Sequence, residues 1–172
     1  SGSEFGWRPG TLKWSPDYAD NLPAAINVGQ GSPTNFIYAG NAKFPEKYRN
    51  AFLAFDWSFG IIYAVHATPD GASYKTTGEE FVSGSPLPLT DGIIGPDGAL
   101  YFLTGGRQLE SDLYRVYYRD YKNINPTTTA PVLSEEQIAR RKLETFHTGP
   151  IPGAVEFAWP YLQHNDRYLQ YA

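Results

Sequence analysis

Residues 89–107 read LTDGIIGPDGALYFLTGGR, and this stretch restricts the fold more than any other. Two apolar runs, Gly92–Ile94 and Leu100–Thr104, flank a Gly-Pro-Asp-Gly tetrapeptide. Proline presets φ at the first corner of a turn, aspartate bonds the backbone ahead of it, and glycine accepts a positive φ. Such a chain doubles back as an antiparallel hairpin. The same grammar recurs upstream. Ala51–Asp56 (AFLAFD) and Ile61–Thr68 (IIYAVHAT) predict strands, and the WSFG between them has hairpin length. TPDG at 68–71 predicts another turn, Asn35–Tyr38 an earlier strand, and Glu80–Val82 a short edge strand. Leu113–Tyr118 closes the series, while 1–33 read as loop and Gly40 to Asn50 as a polar connection.

Two segments echo each other: IYAV at Ile62 and LYRV at Leu113 lie 51 residues apart. A repeat of about 40–50 residues that holds several short strands suits a β-propeller blade. The alternative is a pair of unrelated hairpins in a β-sandwich. Aromatics at 16%, with 17 Gly and 14 Pro, agree with short strands and tight turns in either case. Cysteine is absent, which excludes a disulfide framework and thiolate metal sites. A net charge of -4 without a basic block excludes the electrostatic footprint of a nucleic-acid binder. No apolar run approaches the roughly 20 residues that a membrane span needs. Methionine is missing even at position 1 and no signal peptide is visible, so the chain is expected to be processed or internal to a longer protein.

After Tyr121 the pattern changes. Residues 122–133 contain a Pro/Thr linker, and 134–172 read as helical. Ser134 predicts an N-cap with Gln137 completing a capping box, and Leu133 a staple onto Ile138. Ala139, Leu143 and Phe146 share one face at i, i+4, i+7, and Gly149 ends the helix. GAVEFAWPYLQH predicts a second helix that Pro160 ends or kinks, and Asn165 a cap for a third. The expected organisation is therefore mainly β: about two antiparallel propeller blades over 1–121, then the linker, then the first unit of a helical repeat.

The segments GSEFGWR (2–8), GSPTNFIYAG (31–40), FPEKYRNAFLAFDWSFGIIYAVH (44–66) and GIIGPDGALYFLTGG (92–106) resemble the C-terminal blades of the glucose/sorbosone dehydrogenase family. The tail from Arg140 is similar to the first HEAT-type repeat of large planctomycete-type dehydrogenase-like proteins. The resemblance implies a six-bladed, extracytoplasmic (periplasmic) propeller that holds pyrroloquinoline quinone (PQQ) and Ca²⁺ and oxidises a sugar or another polyol. It also implies that the remaining blades, or another chain, are partners. In the quinoprotein members an Arg-x-Arg-Asp run contacts the cofactor; the aligned run here is Pro88-Leu89-Thr90-Asp91, and the family's hairpin-tip lysine aligns with Ser58. Quinone binding is thereby implied for the parent protein rather than this segment, and no catalytic residue is assigned within it. The other reading of the parent is a non-catalytic propeller that binds glycans or proteins.

Four residues stand out as ligand-binding candidates. Asp91 lies where the family keeps its site, and its carboxylate suits a ligand hydroxyl or a cation; the alternative is that it caps the neighbouring backbone. Asp56 beside Trp57 is a carbohydrate-binding pairing, ring stacking plus hydroxyl bonds, or else a turn aspartate beside a packed indole. Arg107 follows two glycines and can reach an anion, or it is a solvated loop charge. His66, His147 and His164 show no metal-ligand spacing, so no metal site is assigned.

Overall fold

The computed structural model describes residues 22–124 and 132–172. The loop expected over residues 1–21, the resembling stretch at 2–8, and linker residues 125–131 lie outside the described residues. Among the described residues seven strands form two antiparallel sheets, with a few short helices and no closed barrel. The first sheet runs in chain order through β1 (Pro33–Tyr38), β2 (Ala51–Asp56), β3 (Ile61–Asp70) and β4 (Ser73–Ser83). The second does the same through β5 (Leu89–Ile94), β6 (Leu100–Thr104) and β7 (Leu113–Val116). A one-turn helix, α1 (Glu46–Arg49), interrupts the expected β1–β2 connection. Downstream lie α2 (Glu135–Glu144), α3 (Ala154–Ala158) and α4 (Arg167–Tyr171).

By contacts the chain divides into two compact units. One holds the described residues of Val28–Ala67 and Thr76–Ala130. Its core follows from strand alternation: Ala51, Leu53 and Phe55 of β2 are buried, and their partners Ile62 and Ala64 of β3 lie on the same face. Leu89, Leu100 and Phe102 of the second sheet complete the same cluster. The two sheets come closest along their first strands, β1 and β5. There Thr34 Oγ1 donates to the Leu89 carbonyl at 2.9 Å, and Asn35 Nδ2 donates to the Gly92 carbonyl at 2.7 Å. Gly92 permits the approach, since a Cβ at this position would sit 2.7 Å from Phe55 Cζ.

The opposite faces of both sheets also carry exposed apolar side chains, and on the second sheet Asp91 and Arg115 share that face. On the first, Phe36 stacks on Phe52 with ring centroids 5.0 Å apart, and Tyr38 packs at 5.3 Å on the same ring. On the second, Leu103 and Leu113 pair across β6 and β7, and Ile93 pairs with Tyr101 on the same side. Ile93 is 62% exposed and Leu113 67%.

The other unit joins residues 68–75 to the helices. Ser134 accepts from Gln137 N and Gln137 Oε1 accepts from Ser134 N, the expected capping box. Leu143 is buried with Leu169 and Ala72, and Ala139 and Phe146 pack beside it. Several expectations are corrected. The turn predicted at TPDG lies instead at Gly71-Ala72, with Thr68–Asp70 still in β3. The short edge strand at Glu80–Val82 is the end of the longer β4, and β7 stops at Val116. The α4 cap is Asp166, which accepts from Tyr168 N at 2.8 Å, not Asn165. Ile138 is exposed rather than stapled inside. Pro160 does end α3 in a 3₁₀ turn, Trp159–Gln163, because its ring cannot continue the helix.

Candidate functional site

Asp56 ends β2 at the mouth of the WSFG hairpin. It is only 3% exposed. Its Oδ1 accepts from Ser32 N at 2.9 Å and from Ser58 N at 2.8 Å, so one oxygen closes the turn and pins the chain before β1. Its Oδ2 is buried with no hydrogen-bond partner among the described residues. A Cβ on Gly31 would overlap that oxygen. This geometry is that of a turn aspartate, and it leaves no exposed oxygen for a sugar hydroxyl.

Trp57 follows, its backbone N–H donating to the Ser32 carbonyl. The indole Nε1 donates to the Gly105 carbonyl at 2.9 Å. Arg107 lies over the indole, its Cζ 4.9 Å from the ring centroid. Three of the four candidates, about half a hundred residues apart in sequence, thus meet at one end of the sheets. The backbone of this tip is unusual: Gly105, Gly106, Arg107 and Gln108 have φ of 143°, 93°, 49° and 66°. Two non-glycine residues in the left-handed region are uncommon and are enriched where a loop aims a side chain. The fourth candidate, Asp91, sits further along β5 and is exposed. Its Oδ1 accepts from Asn35 Nδ2 at 2.7 Å and from Gly92 N at 2.8 Å. Its carboxylate therefore both caps backbone and faces solvent.

Sequence reasoning missed Asn35, which orients Asp91, and Gly105, which holds Trp57. An asparagine inside a strand pattern was the available signal, because strands are depleted in it. It also missed two charged clusters. Arg115 donates from Nη2 to Asp97 Oδ2 at 2.7 Å, and Tyr101 OH donates to the same oxygen at 2.9 Å. The Arg115 guanidinium, then the Ala99 N–H, pull the Asp97 carboxyl down to about 2. Glu79 binds Lys47 Nζ at 2.7 Å and His66 Nε2 at 2.9 Å, and Lys47, then His66, hold its carboxyl below the usual range.

The run aligned with the family's arginines does not supply cations. Pro88 and Leu89 are buried, and Thr90 Oγ1 donates to the Leu103 carbonyl at 3.0 Å. Ser58 is exposed and neutral. A quinone's carboxylates need fixed cations or donors, so these residues do not fit that group. Among the described residues no group of three His, Asp or Glu is placed to hold a metal ion. Among them also, no helix is long and apolar enough to cross a membrane. Comparison with models of protein families, with characterised proteins and with solved structures returns no match.

Proposed function

We propose that the chain supplies two adjacent blades to an extracytoplasmic, dehydrogenase-like β-propeller acting on a sugar or alcohol. In this reading the segment is scaffold. Asp91 and Arg107 face the hydroxylated ligand, and Asp56 and Trp57 shape the tip beneath them. The helices open a HEAT-like repeat, and the quinone and Ca²⁺ implied by the resemblance belong to other blades.

One observation supports this most. The two meander sheets join along their first strands, and both outward faces carry apolar side chains: Phe36, Tyr38 and Phe52 on one, and Ile93, Leu103 and Leu113 on the other, where Asp91 and Arg115 stand beside them. A self-sufficient sandwich turns polar residues outward, whereas a blade between blades is apolar on both sides. The test is dye-linked oxidation across a sugar panel by the chain extended to its parent protein and loaded with quinone and Ca²⁺. Turnover is expected; silence across the panel rejects the redox part. A second reading, a non-catalytic propeller that binds glycans or proteins, is favoured by Pro88 and Thr90 standing where the family has arginines. Saturable glycan-array binding without dye reduction selects it.

A further inference from the structure

We propose that Arg107 is an anion-binding group and that the hydroxylated ligand is an acidic sugar, bound through its carboxylate. The inference rests on the hydroxylated-ligand reading above and adds the ligand's charge.

Among the described residues three arginines stack on aromatic rings. Arg115 lies over Tyr101 and Tyr117, and Asp97 closes its fork. Arg140 lies over Tyr168, and Glu144 and the Ala72 carbonyl take its N–H groups. Arg107 lies over Trp57 in the same way, but among the described residues no carboxylate or carbonyl accepts from it. A guanidinium stacked on a ring uses its face for the contact and keeps its edge N–H donors for an acceptor, which suits a planar carboxylate.

The loop that presents Arg107 is built for that placement. Four successive residues with positive φ curl the chain back over the indole, and Leu109 N closes the curl on the Gly106 carbonyl at 3.0 Å. Gly105 is tied on both sides, its N–H to the Pro88 carbonyl and its own carbonyl to Trp57 Nε1. Ring and cation are thereby linked through Gly105 and Gly106. A solvated surface charge needs no such backbone. The anion is drawn as part of a sugar because Asp91, on the same sheet, keeps an exposed carboxylate that can accept from hydroxyls.

Titration of the chain with D-glucuronate, D-glucose and acetate, followed by the Trp57 indole N–H resonance and by calorimetry, tests the proposal. Glucuronate is expected to bind about tenfold or more tighter than glucose, the gain that a charge-assisted pair supplies. That preference weakens with salt. Arg107→Gln abolishes it, and Arg107→Lys keeps only part, since an ammonium lacks the fork. Equal affinity for glucuronate and glucose overturns the proposal, as does a preference that survives Arg107→Gln. If glucose binds both wild type and Arg107→Gln and glucuronate gains nothing, the hydroxylated-ligand reading stands while this one falls. Acetate binding as tightly as glucuronate, with no glucose binding, removes the sugar and both readings with it.

Discussion

Asp56 holds two backbone N–H groups on a single oxygen, so its removal leaves Ser32 N and Ser58 N without their acceptor. Asp56→Ala is expected to cost about 1–3 kcal/mol for each donor that water does not reach, and Asp56→Asn less, since it keeps an acceptor at Oδ1. Urea unfolding of the two variants checks the order. At Gly92 the constraint is space rather than bonding. An alanine Cβ there meets Phe55 Cζ at 2.7 Å and the Tyr101 carbonyl at 2.9 Å, and the second of these is backbone. Gly92→Ala is expected to destabilise by about 1–3 kcal/mol through overpacking, read from the same denaturation curves. The Asp97–Arg115 pair adds a pH dependence of known sign. A carboxyl held down to about 2 in the folded chain binds its proton more weakly than in the unfolded chain. Its contribution is therefore present above the ordinary aspartate range and lost as pH falls from about 4 toward 2. An NMR titration of Asp97 is expected to move up toward the ordinary range in Arg115→Gln, with the Ala99 and Tyr101 bonds still holding it down in part; an unchanged midpoint would reject the pairing.

At the level of the element, α2 offers the sharpest test. Ser134 caps Gln137 N, and its own hydroxyl donates to the Gly71 carbonyl at 2.9 Å. Ser134→Ala is expected to cost about 1 kcal/mol, with faster amide exchange at Gln137, while Ser134→Gly costs a few tenths. This helix was legible in the sequence because capping is local: donor, acceptor and box partner lie within four residues. β2 and β6 were legible to the residue because alternating apolar side chains and a flanking turn both marked their ends. β4 was not. Its sequence, SYKTTGEEFVS, is polar almost throughout, as befits a strand at the edge of its sheet, and so carries little hydrophobic period. The TPDG turn failed for a different reason. Gly71 takes a φ of +52°, and Ala72 N donates to Asp166 Oδ2 at 2.7 Å, a residue 94 positions away. A distant carboxylate takes the N–H at the turn, and no local rule contains that contact. The candidate site divides the same way. Asp56 and its turn were visible at short range; the meeting of Trp57 with Gly105 and Arg107 spans 48 residues or more, and pattern reading does not reach across it.

For the sheet-forming unit as a whole, the outward apolar faces decide between a finished sandwich and a member of a stack. Ile93, Leu103 and Leu113 lie on one side of the second sheet by register, and each is more exposed than buried neighbours such as Phe102. Side chains already in water add little to folding, so replacing them changes stability little. They do add a sticky surface, because an exposed contiguous apolar patch favours association. The triple variant Ile93→Thr, Leu103→Thr, Leu113→Thr keeps β propensity at Ile93 through another β-branched residue and raises it at the two leucine positions. Its unfolding free energy is expected to stay within about 0.5 kcal/mol for each site. Concentration-dependent association in sedimentation velocity, and binding of a hydrophobic dye, are expected to fall. The matching change on the first sheet, Phe36→Thr with Tyr38→Thr, also breaks the stack on Phe52, so it is expected to cost some stability besides. If the triple variant instead unfolds readily while its dye binding is unchanged, these residues belong to the unit's own core. The outward faces would then give no support to further sheets packing against them.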